Sequence, residues 1–421
     1  MRRWQQALCW LRSDPVQGMA DLVFEASFLA LVMVLFFSRD ASNVALILFG
    51  LSWMVRRLAV SPFLPPVSLR FPLLFFLISL ALSAVFSETR SHSLQQLFSE
   101  VPKVLVIFFG SLEYLKDQAR LRRLFWAATW VILIIGVDGL LQFFNGHDLI
   151  RGAGLWKGRV RAHFPSPTFF EYPLPLFPLS LLLMEERTKW WKRALVGLAA
   201  ISFAASSVLS QTRSVWIALA FILLFLALFS RHKLPYLIFI GCCLLALALL
   251  PMTRGKQRLL TIGDFFSQQR YQRILGWQIS YRMFLSRPLL GKGLDIFDKY
   301  KRNAELQKPY LPPPLYEKVT KKGSGAVFPI YHPHNIYLEI LASQGLVGIA
   351  SFTSLLVAFA LSLWRRRRGP PLYLLATSAS LFSFLICAAA GTSFYHFWSY
   401  AIFWLLFGMG MAFEGEDRIG S

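Results

Sequence analysis

Two histidines and an asparagine stand directly before a long apolar segment, in the stretch HPHNIYLEILASQGLVGIA at residues 332–350. An imidazole titrates near neutral pH, so His334 is a candidate general base, and nearby guanidinium charges would keep it neutral. A structural interpretation accounts for the same residues, because Asn335 caps a helix well and Pro333 makes its entry rigid. The pair His332 and His334 also allows a metal site, although no carboxylate or third ligand follows at a convincing spacing.

A single arginine stands between two apolar segments in SQTRSVW, residues 210–216. This connection is too short to be a domain, so we expect Arg213 to lie at a membrane interface. One interpretation is an arginine that snorkels and anchors a helix end. The other is an anion clamp, because a guanidinium is planar, permanently charged and binds phosphate in a bidentate manner.

Basic and aromatic residues recur at steps of three and four in DFFSQQRYQRILGWQISYRMFL, residues 264–285. This spacing predicts that they share one face of a helix. The residues are Phe266, Arg270, Arg273, Trp277, Tyr281 and Phe284. Such a face is typical of an interfacial helix, and its charges also suit a buried anion. The turn-rich PLLGKG at residues 288–293 ends this helix. A further basic stretch, KGRVRAHFPSP at residues 157–167, contains Arg161 and by itself is typical of a solvated loop.

The composition predicts the elements that hold these residues. Of the 421 residues 56% are hydrophobic, 39 are Phe, and mean hydropathy is +0.51. Apolar stretches of about 17–25 residues recur, the length that crosses a bilayer as a helix. We therefore predict an all-α polytopic membrane protein with about 12 transmembrane helices, and we expect no cleavable signal peptide. The predicted spans are 19–37, 41–59, 71–87, 101–115, 124–144, 168–184, 192–210, 214–230, 234–250, 334–363, 371–390 and 394–413.

The net charge of +22 indicates topology rather than nucleic-acid binding, because Lys and Arg collect in cytoplasmic loops. Short loops on one side hold 17 basic residues and those on the other side 8, which predicts that both termini are cytoplasmic. The four cysteines have no metal-ligand spacing and do not suggest a disulfide framework.

One connection, residues 251–333, is much longer than the others and carries 15 Lys and Arg against five acids. Long loops translocate largely regardless of charge, so we predict a large helical periplasmic loop that carries function. The chain is then divided into helices 1–9 at residues 1–250, this loop, and helices 10–12 at residues 334–421.

Taken together, four stretches resemble the O-antigen ligase and polymerase family of bacterial membrane glycosyltransferases. They are QFFNGHD at 142–148 with RAHFPSP at 161–167, QTRSVW at 211–216, RILGW at 273–277 with PLLGKG at 288–293, and HNIYL at 334–338 with QGLVG at 344–348. The likeness covers roughly residues 70–410. One departure is that Ser214 and Val215 follow Arg213, where the family usually has a small residue and glycine.

The resemblance implies an inverting transferase that needs no metal or cofactor. Its donor would be a glycan on undecaprenyl diphosphate, and its acceptor a hydroxyl of lipid A-core, of the growing glycan in polymerases, or of a protein in related oligosaccharyltransferases. His334 matches the family's functional histidine, and Arg213 and Arg273 match its arginines. Arg270 and Arg287 compete for the second arginine role. Substrate-binding candidates also include Arg161, Asn335, Tyr337 and Trp277.

The resemblance further implies an inner-membrane enzyme with a periplasmic active site, whose partners are the lipid-linked glycan, its acceptor and membrane lipids. Within the family we favour ligase over polymerase. A different class, a transporter or flippase for a lipid-linked glycan, would share the outward basic groove and the aromatic belts. It would also need access from the inner side, and few ionisable residues lie in the middle of the predicted spans.

Overall fold

The computed structural model describes residues 14–58, 67–185, 189–249, 268–301, 308–310, 332–365, 371–391 and 393–412. Throughout these ranges the chain is helical and contains no strand, apart from isolated bridges that join His147 to Gly154 and Trp156 to Arg159. The prediction of an all-α protein is therefore confirmed for this part of the chain.

Most of the helices follow one another with short connections, and a longer loop with 3₁₀ turns stands between Asn145 and Phe177. They are α1 (Asp14–Val34), α2 (Arg39–Leu58), α3 (Arg70–Val85), α4 (Arg90–Tyr114), α5 (Gln118–Asn145), α6 (Phe177–Leu182), α7 (Trp190–Leu209), α8 (Arg213–Phe229), α9 (Lys233–Leu249), α10 (Gln268–Ser286), α11 (Ile296–Lys301), α12 (Ile336–Arg365), α13 (Pro371–Ala388) and α14 (Phe397–Met411). Short 3₁₀ turns cover Pro167–Glu171, Leu174–Leu176, Leu183–Glu185 and Lys308–Tyr310.

Four of the described helices, α1, α5, α7 and α12, are long and apolar enough to cross a membrane. Shorter apolar helices correspond to α3, α8, α13 and α14. The number of twelve spans is not confirmed and stays a prediction. The sixth predicted span, 168–184, is not one continuous helix but a series of 3₁₀ turns and the six-residue α6. Its prolines at positions 173, 175 and 178 remove backbone donors and prevent a regular helix.

The outer surface of the helices is apolar, as lipid contact requires. Helix α8 buries Val215, Ala218 and Ile222 on one side, while Leu224 and Leu228 on the other side are 54% and 57% exposed. Helix α14 is buried on all sides, and its neighbours include α4, α12 and α13. A bundle that is apolar both inside and outside is a membrane protein, in agreement with the sequence.

Helix α12 is interrupted at Gly345, which has φ 67° and ψ −158°. The PLLGKG turn that follows α10 enters this break. The Leu346 N–H donates to the Pro288 carbonyl at 2.8 Å, and the Lys292 N–H donates to the Ala342 carbonyl at 3.0 Å. A Cβ on Gly345 would overlap the backbone of residues 288–289, so only glycine fits both this conformation and this space. The turn thereby fixes α10 against the first half of α12.

Contacts show that the connections predicted to share one side of the membrane share one end of the bundle, which we call the site end. The Arg151 guanidinium donates to the Phe37 carbonyl at 3.1 Å, and the Val160 N–H donates to the Leu209 carbonyl at 3.2 Å. The opposite end holds ion pairs between α1, α2, α4 and α5, including Glu25 with Arg123. The orientation of the two ends in the membrane and the division of the chain at residues 250 and 333 stay predictions.

Candidate active site

The segment that precedes α12 holds the predicted general base in a fixed position. His334 has a left-handed backbone conformation with φ 54°, which is uncommon for a residue other than glycine. The Asn335 Oδ1 accepts the Leu338 N–H at 3.1 Å, so Asn335 does cap the helix, and its Nδ2 donates to the Ala389 carbonyl at 3.1 Å. The helix cap formed by Asn335 is therefore compatible with a role of His334 as a general base, because the cap holds this residue in position.

The hydrogen bond of His334 defines which ring nitrogen is available. Its Nδ1 lies 3.2 Å from the Gly391 carbonyl oxygen. Since a carbonyl can only accept, Nδ1 carries the proton in this pair, and the lone pair of the neutral imidazole is on Nε2. Partial burial and, next, the positive charge of Arg273 lower the pKa of His334 from 6.5 to about 4, although the bond to Gly391 raises it. The imidazole is thus neutral at neutral pH.

Helix α10 places Arg273 beside this histidine. The helix predicted from residue 264 covers Gln268–Ser286 in the described part of the chain. Its buried face is apolar and packs on Ala342 through Leu275, Ile279 and Met283. The basic and aromatic face points elsewhere: Arg273 and Trp277 are half-buried, and the Trp277 Nε1 donates to the Pro333 carbonyl at 3.0 Å. Arg270 lies one turn earlier, and its side chain is outside the described part of the structure.

Arg213 is the first residue of α8, after a tight turn in which Gln211 has φ 51°. The long loop before residue 167 braces this turn, because Arg159 donates through Nε to the Ser210 carbonyl at 2.7 Å and through a terminal nitrogen to the Thr212 hydroxyl at 3.0 Å. Arg213 itself is half-buried. Its neighbour Ser214 donates a hydrogen bond to the carboxylate of Glu171.

Glu171 joins these separate stretches and was not among the predicted site residues. It is 2% exposed, at the end of the 3₁₀ turn Pro167–Glu171. Its carboxylate packs directly against Gly391, where a Cβ would overlap it, and it lies within electrostatic reach of Arg273. The only signal for Glu171 in the sequence was that its carboxylate lies within an apolar segment, where ionisable residues are often functional.

Three other predicted residues have contacts away from this cluster. The Arg161 guanidinium donates to the Gly154 carbonyl at 2.9 Å and lies 5.6 Å from the ring centre of Trp156. Arg287 is 43% exposed and forms an ion pair with Glu88 at 3.2 Å. The Tyr337 hydroxyl lies 3.5 Å from the carbonyl of Leu385 in the neighbouring helix α13. The structure thus brings together His334, Asn335, Arg273 and Trp277. Glu171, which packs on Gly391, connects this group to Ser214, the neighbour of Arg213 in the chain.

The QFFNGHD and RAHFPSP stretches form a buried polar network instead of a basic surface. The Gln142 Oε1 accepts the Arg161 and Ala162 N–H groups at 2.8 and 2.9 Å, and its Nε2 donates to the Ala153 carbonyl at 2.8 Å. The Nδ1 of His163 lies 3.2 Å from an oxygen of the Asp138 carboxylate. These contacts fix the loop that carries Arg159 and leads to Glu171. Among the residues that the structure describes, no group of three or more His, Cys, Asp or Glu side chains is arranged to hold a metal.

A family model for O-antigen ligase matches residues 198–353. This region includes α8, α10, the PLLGKG turn and the first half of α12, so it contains Arg213, Arg273 and His334. No individual curated protein matches the chain. The match confirms the resemblance to the O-antigen ligase family over this region, and it supports a membrane glycosyltransferase of the ligase and polymerase type.

Proposed function

We propose that the protein is an O-antigen ligase-like glycosyltransferase. It moves a glycan from undecaprenyl diphosphate to a hydroxyl of lipid A-core, with inversion at the anomeric carbon and without a metal ion. The observation that carries this proposal is the fixed imidazole of His334, whose Nδ1 is bound to the Gly391 carbonyl while Nε2 keeps its lone pair beside Arg273. A base next to a permanent positive charge suits an alcohol acceptor and a diphosphate leaving group.

The donor diphosphate binds to Arg273 and Arg213 in this proposal. The start of α8 adds the positive end of the helix dipole next to Arg213, a common arrangement for binding phosphate. The lipid tail lies against the apolar outer surface of the helices. Binding of the diphosphate also neutralises Arg273, which raises the pKa of His334 at the stage when a base is required.

Transfer is a single displacement. The acceptor oxygen attacks the anomeric carbon, and its proton moves to the Nε2 of His334. The bond between this carbon and the phosphate oxygen breaks, and undecaprenyl diphosphate leaves with the electron pair. Arg273 and Arg213 stabilise the charge of the leaving group, more strongly in a site that excludes water. The Nδ1–H···O bond to Gly391 orients the imidazolium until it releases the proton.

The basic residues concentrated at the other end of the bundle support a periplasmic location of the site end in a bacterial inner membrane. Related functions with the same site are a polymerase, in which the acceptor is the growing glycan, and a protein O-oligosaccharyltransferase. The alternative function that is not enzymatic is transport of lipid-linked glycans. A fixed, neutral imidazole beside an arginine favours chemistry over transport.

The experiment that tests the proposal uses purified protein in liposomes with undecaprenyl-diphosphate glycan and lipid A-core. We expect the wild type to form a glycolipid of higher mass, and His334→Ala to remain folded but lose transfer by at least about a hundredfold, the usual contribution of a general base. The exposed His147 provides a matched control, since His147→Ala removes an imidazole outside the cluster.

Substantial turnover by His334→Ala would remove the base assignment. A lengthened lipid-linked glycan would indicate a polymerase with the same site. Movement of the glycolipid between leaflets without any product would indicate a transporter.

A further inference from the structure

An apolar cavity of about 120 Å³ lies between α7 and α9, far from the candidate active site. Helix α7 packs mainly on α5, and α9 packs on α8, so α7 and α9 leave a gap that α6 and the 3₁₀ turn after it close on the inner side. The two walls are formed by Gly197, Ala200 and Ile201 of α7 and by Pro235, Tyr236 and Phe239 of α9. Ile201 is also 58% exposed, so the cavity opens onto the outer, apolar surface of the bundle.

The polar atoms nearest to this cavity are turned away from it. Tyr236 contributes its ring to the wall, while its hydroxyl lies 3.3 Å from the Glu185 carboxylate. The same carboxylate accepts the hydroxyl of Ser230, so two hydroxyl groups bind this acid outside the cavity. A cavity with an apolar lining excludes water and accepts hydrocarbon.

Exposed basic residues stand one helical turn beyond each wall. Helix α7 reaches the site end at Leu209, so its first turn lies at the opposite end, where α9 also begins after α8. Arg193 precedes Gly197 by four residues, and Lys233 precedes Tyr236 by three, which places each basic residue on the face of its helix that forms the wall. One turn corresponds to about 5 Å along the helix axis.

Tryptophans mark the membrane interface at the same level. Trp190 and Trp191, the first residues of α7, are 81% and 48% exposed. The Lys192 Nζ lies 5.4 Å from the ring centre of Trp191 and 5.7 Å from that of Trp126. Exposed tryptophans and basic side chains collect at the level of lipid headgroups, so the cavity begins where acyl chains begin.

We propose that this cavity holds an acyl chain of an anionic phospholipid, whose phosphate binds to Arg193 and Lys233. A basic pocket between membrane helices on the cytoplasmic side is a common binding site for anionic headgroups, and the charge of the bundle predicts that this end is cytoplasmic. The chain fills the gap and connects α9 to α7. The site lies at the opposite end from His334, so the lipid is a structural ligand and not a substrate of the proposed transfer.

The first test titrates the purified protein in detergent with phosphatidylglycerol, or with phosphatidylcholine that has the same acyl chains, and measures bound lipid by native mass spectrometry. We expect the wild type to bind phosphatidylglycerol at least about tenfold more tightly. Arg193→Gln and Lys233→Gln should each weaken this binding about fivefold and leave binding of phosphatidylcholine unchanged. Lys116→Gln is the matched control, because it removes an exposed positive charge at the same end, away from the cavity.

The second test fills the cavity from within. A Cβ on Gly197 would have no other atom within 4 Å, so Gly197→Leu adds a side chain to the cavity without overlapping the protein. Leu also favours a helix more than Gly does, so the thermal midpoint in detergent should stay the same or rise. Binding of phosphatidylglycerol should nevertheless fall at least about tenfold, a combination that structural damage does not produce. Gly18→Leu in α1 is the control, since Gly18 is exposed and also has open space around it.

Equal affinity of the wild type for both lipids would overturn the proposal and indicate a neutral lipid chain in the cavity. Wild-type binding of phosphatidylglycerol by folded Gly197→Leu would overturn it as well, since the lipid would then bind elsewhere. If Gly197→Leu does not fold, the double variant Arg193→Gln with Lys233→Gln decides, and unchanged binding of phosphatidylglycerol would refute the headgroup site.

Discussion

The low pKa of His334 predicts an unusual pH dependence of transfer. With a pKa of about 4 in the free protein, His334 is about 1% protonated at pH 6, whereas an ordinary histidine with a pKa of 6.5 would be roughly three-quarters protonated. Because kcat/KM reports the free enzyme, its acid limb should lie near pH 4, and at pH 6 the value should nearly equal that at pH 7.5. The experiment changes only the pH at which transfer is measured.

The pH profile of kcat should differ, because it reports the complex with the donor. The diphosphate neutralises Arg273, which is the second cause of the low pKa after burial. We therefore expect the acid limb of kcat to lie about one pH unit above that of kcat/KM. The assay measures both parameters from pH 4 to pH 8 in liposomes, with the exposed His147→Ala as a control variant that keeps His334. Coincident limbs near pH 6.5 would refute the reasoning.

The pH dependence of the free energy of unfolding tests the low pKa of His334 without requiring enzymatic turnover. The pKa of His334 is lower in the folded protein than in the unfolded chain, so the unfolded chain binds the extra proton between these values. The free energy of unfolding should therefore fall as the pH drops from 6.5 towards 4, by at most about 3 kcal/mol. The difference in thermal midpoint between wild type and His334→Gln isolates this contribution. An equal pH dependence in both proteins would contradict the low pKa.

Two further predictions concern the elements around the base. Arg213→Lys keeps the charge but loses bidentate binding, so kcat/KM for the donor should fall about tenfold; an unchanged rate and donor affinity would favour an arginine that only anchors the helix. Gln142→Leu removes the oxygen that accepts the Arg161 and Ala162 N–H groups, and should lower the free energy of unfolding by about 2–4 kcal/mol, measured in detergent against the exposed Phe143→Leu.

Much of the architecture could be predicted from local patterns. Hydropathy and periodicity indicated helices, but two predicted spans are interrupted: 168–184, which contains several prolines, and 334–363, which breaks at Gly345. The four motif stretches included residues that now lie together, such as Arg273 and His334. Prediction was weaker for single side chains: Arg161 and Arg287 looked like anion ligands because they are basic and nearby in sequence. Their contacts with Gly154 and Glu88 depend on neighbours that the sequence pattern does not indicate.

The sequence by itself determined that the chain is a helical membrane protein, because apolar length and composition are properties of each segment alone. It also determined which residue types are available for proton transfer and anion binding. Only the tertiary structure decided how they work. Which nitrogen of His334 carries its lone pair depends on Gly391, 57 residues away in the chain, and the buried carboxylate of Glu171 is bound by Ser214, 43 residues away. Such contacts arise when helices from distant parts of the chain pack together, and no local pattern records them.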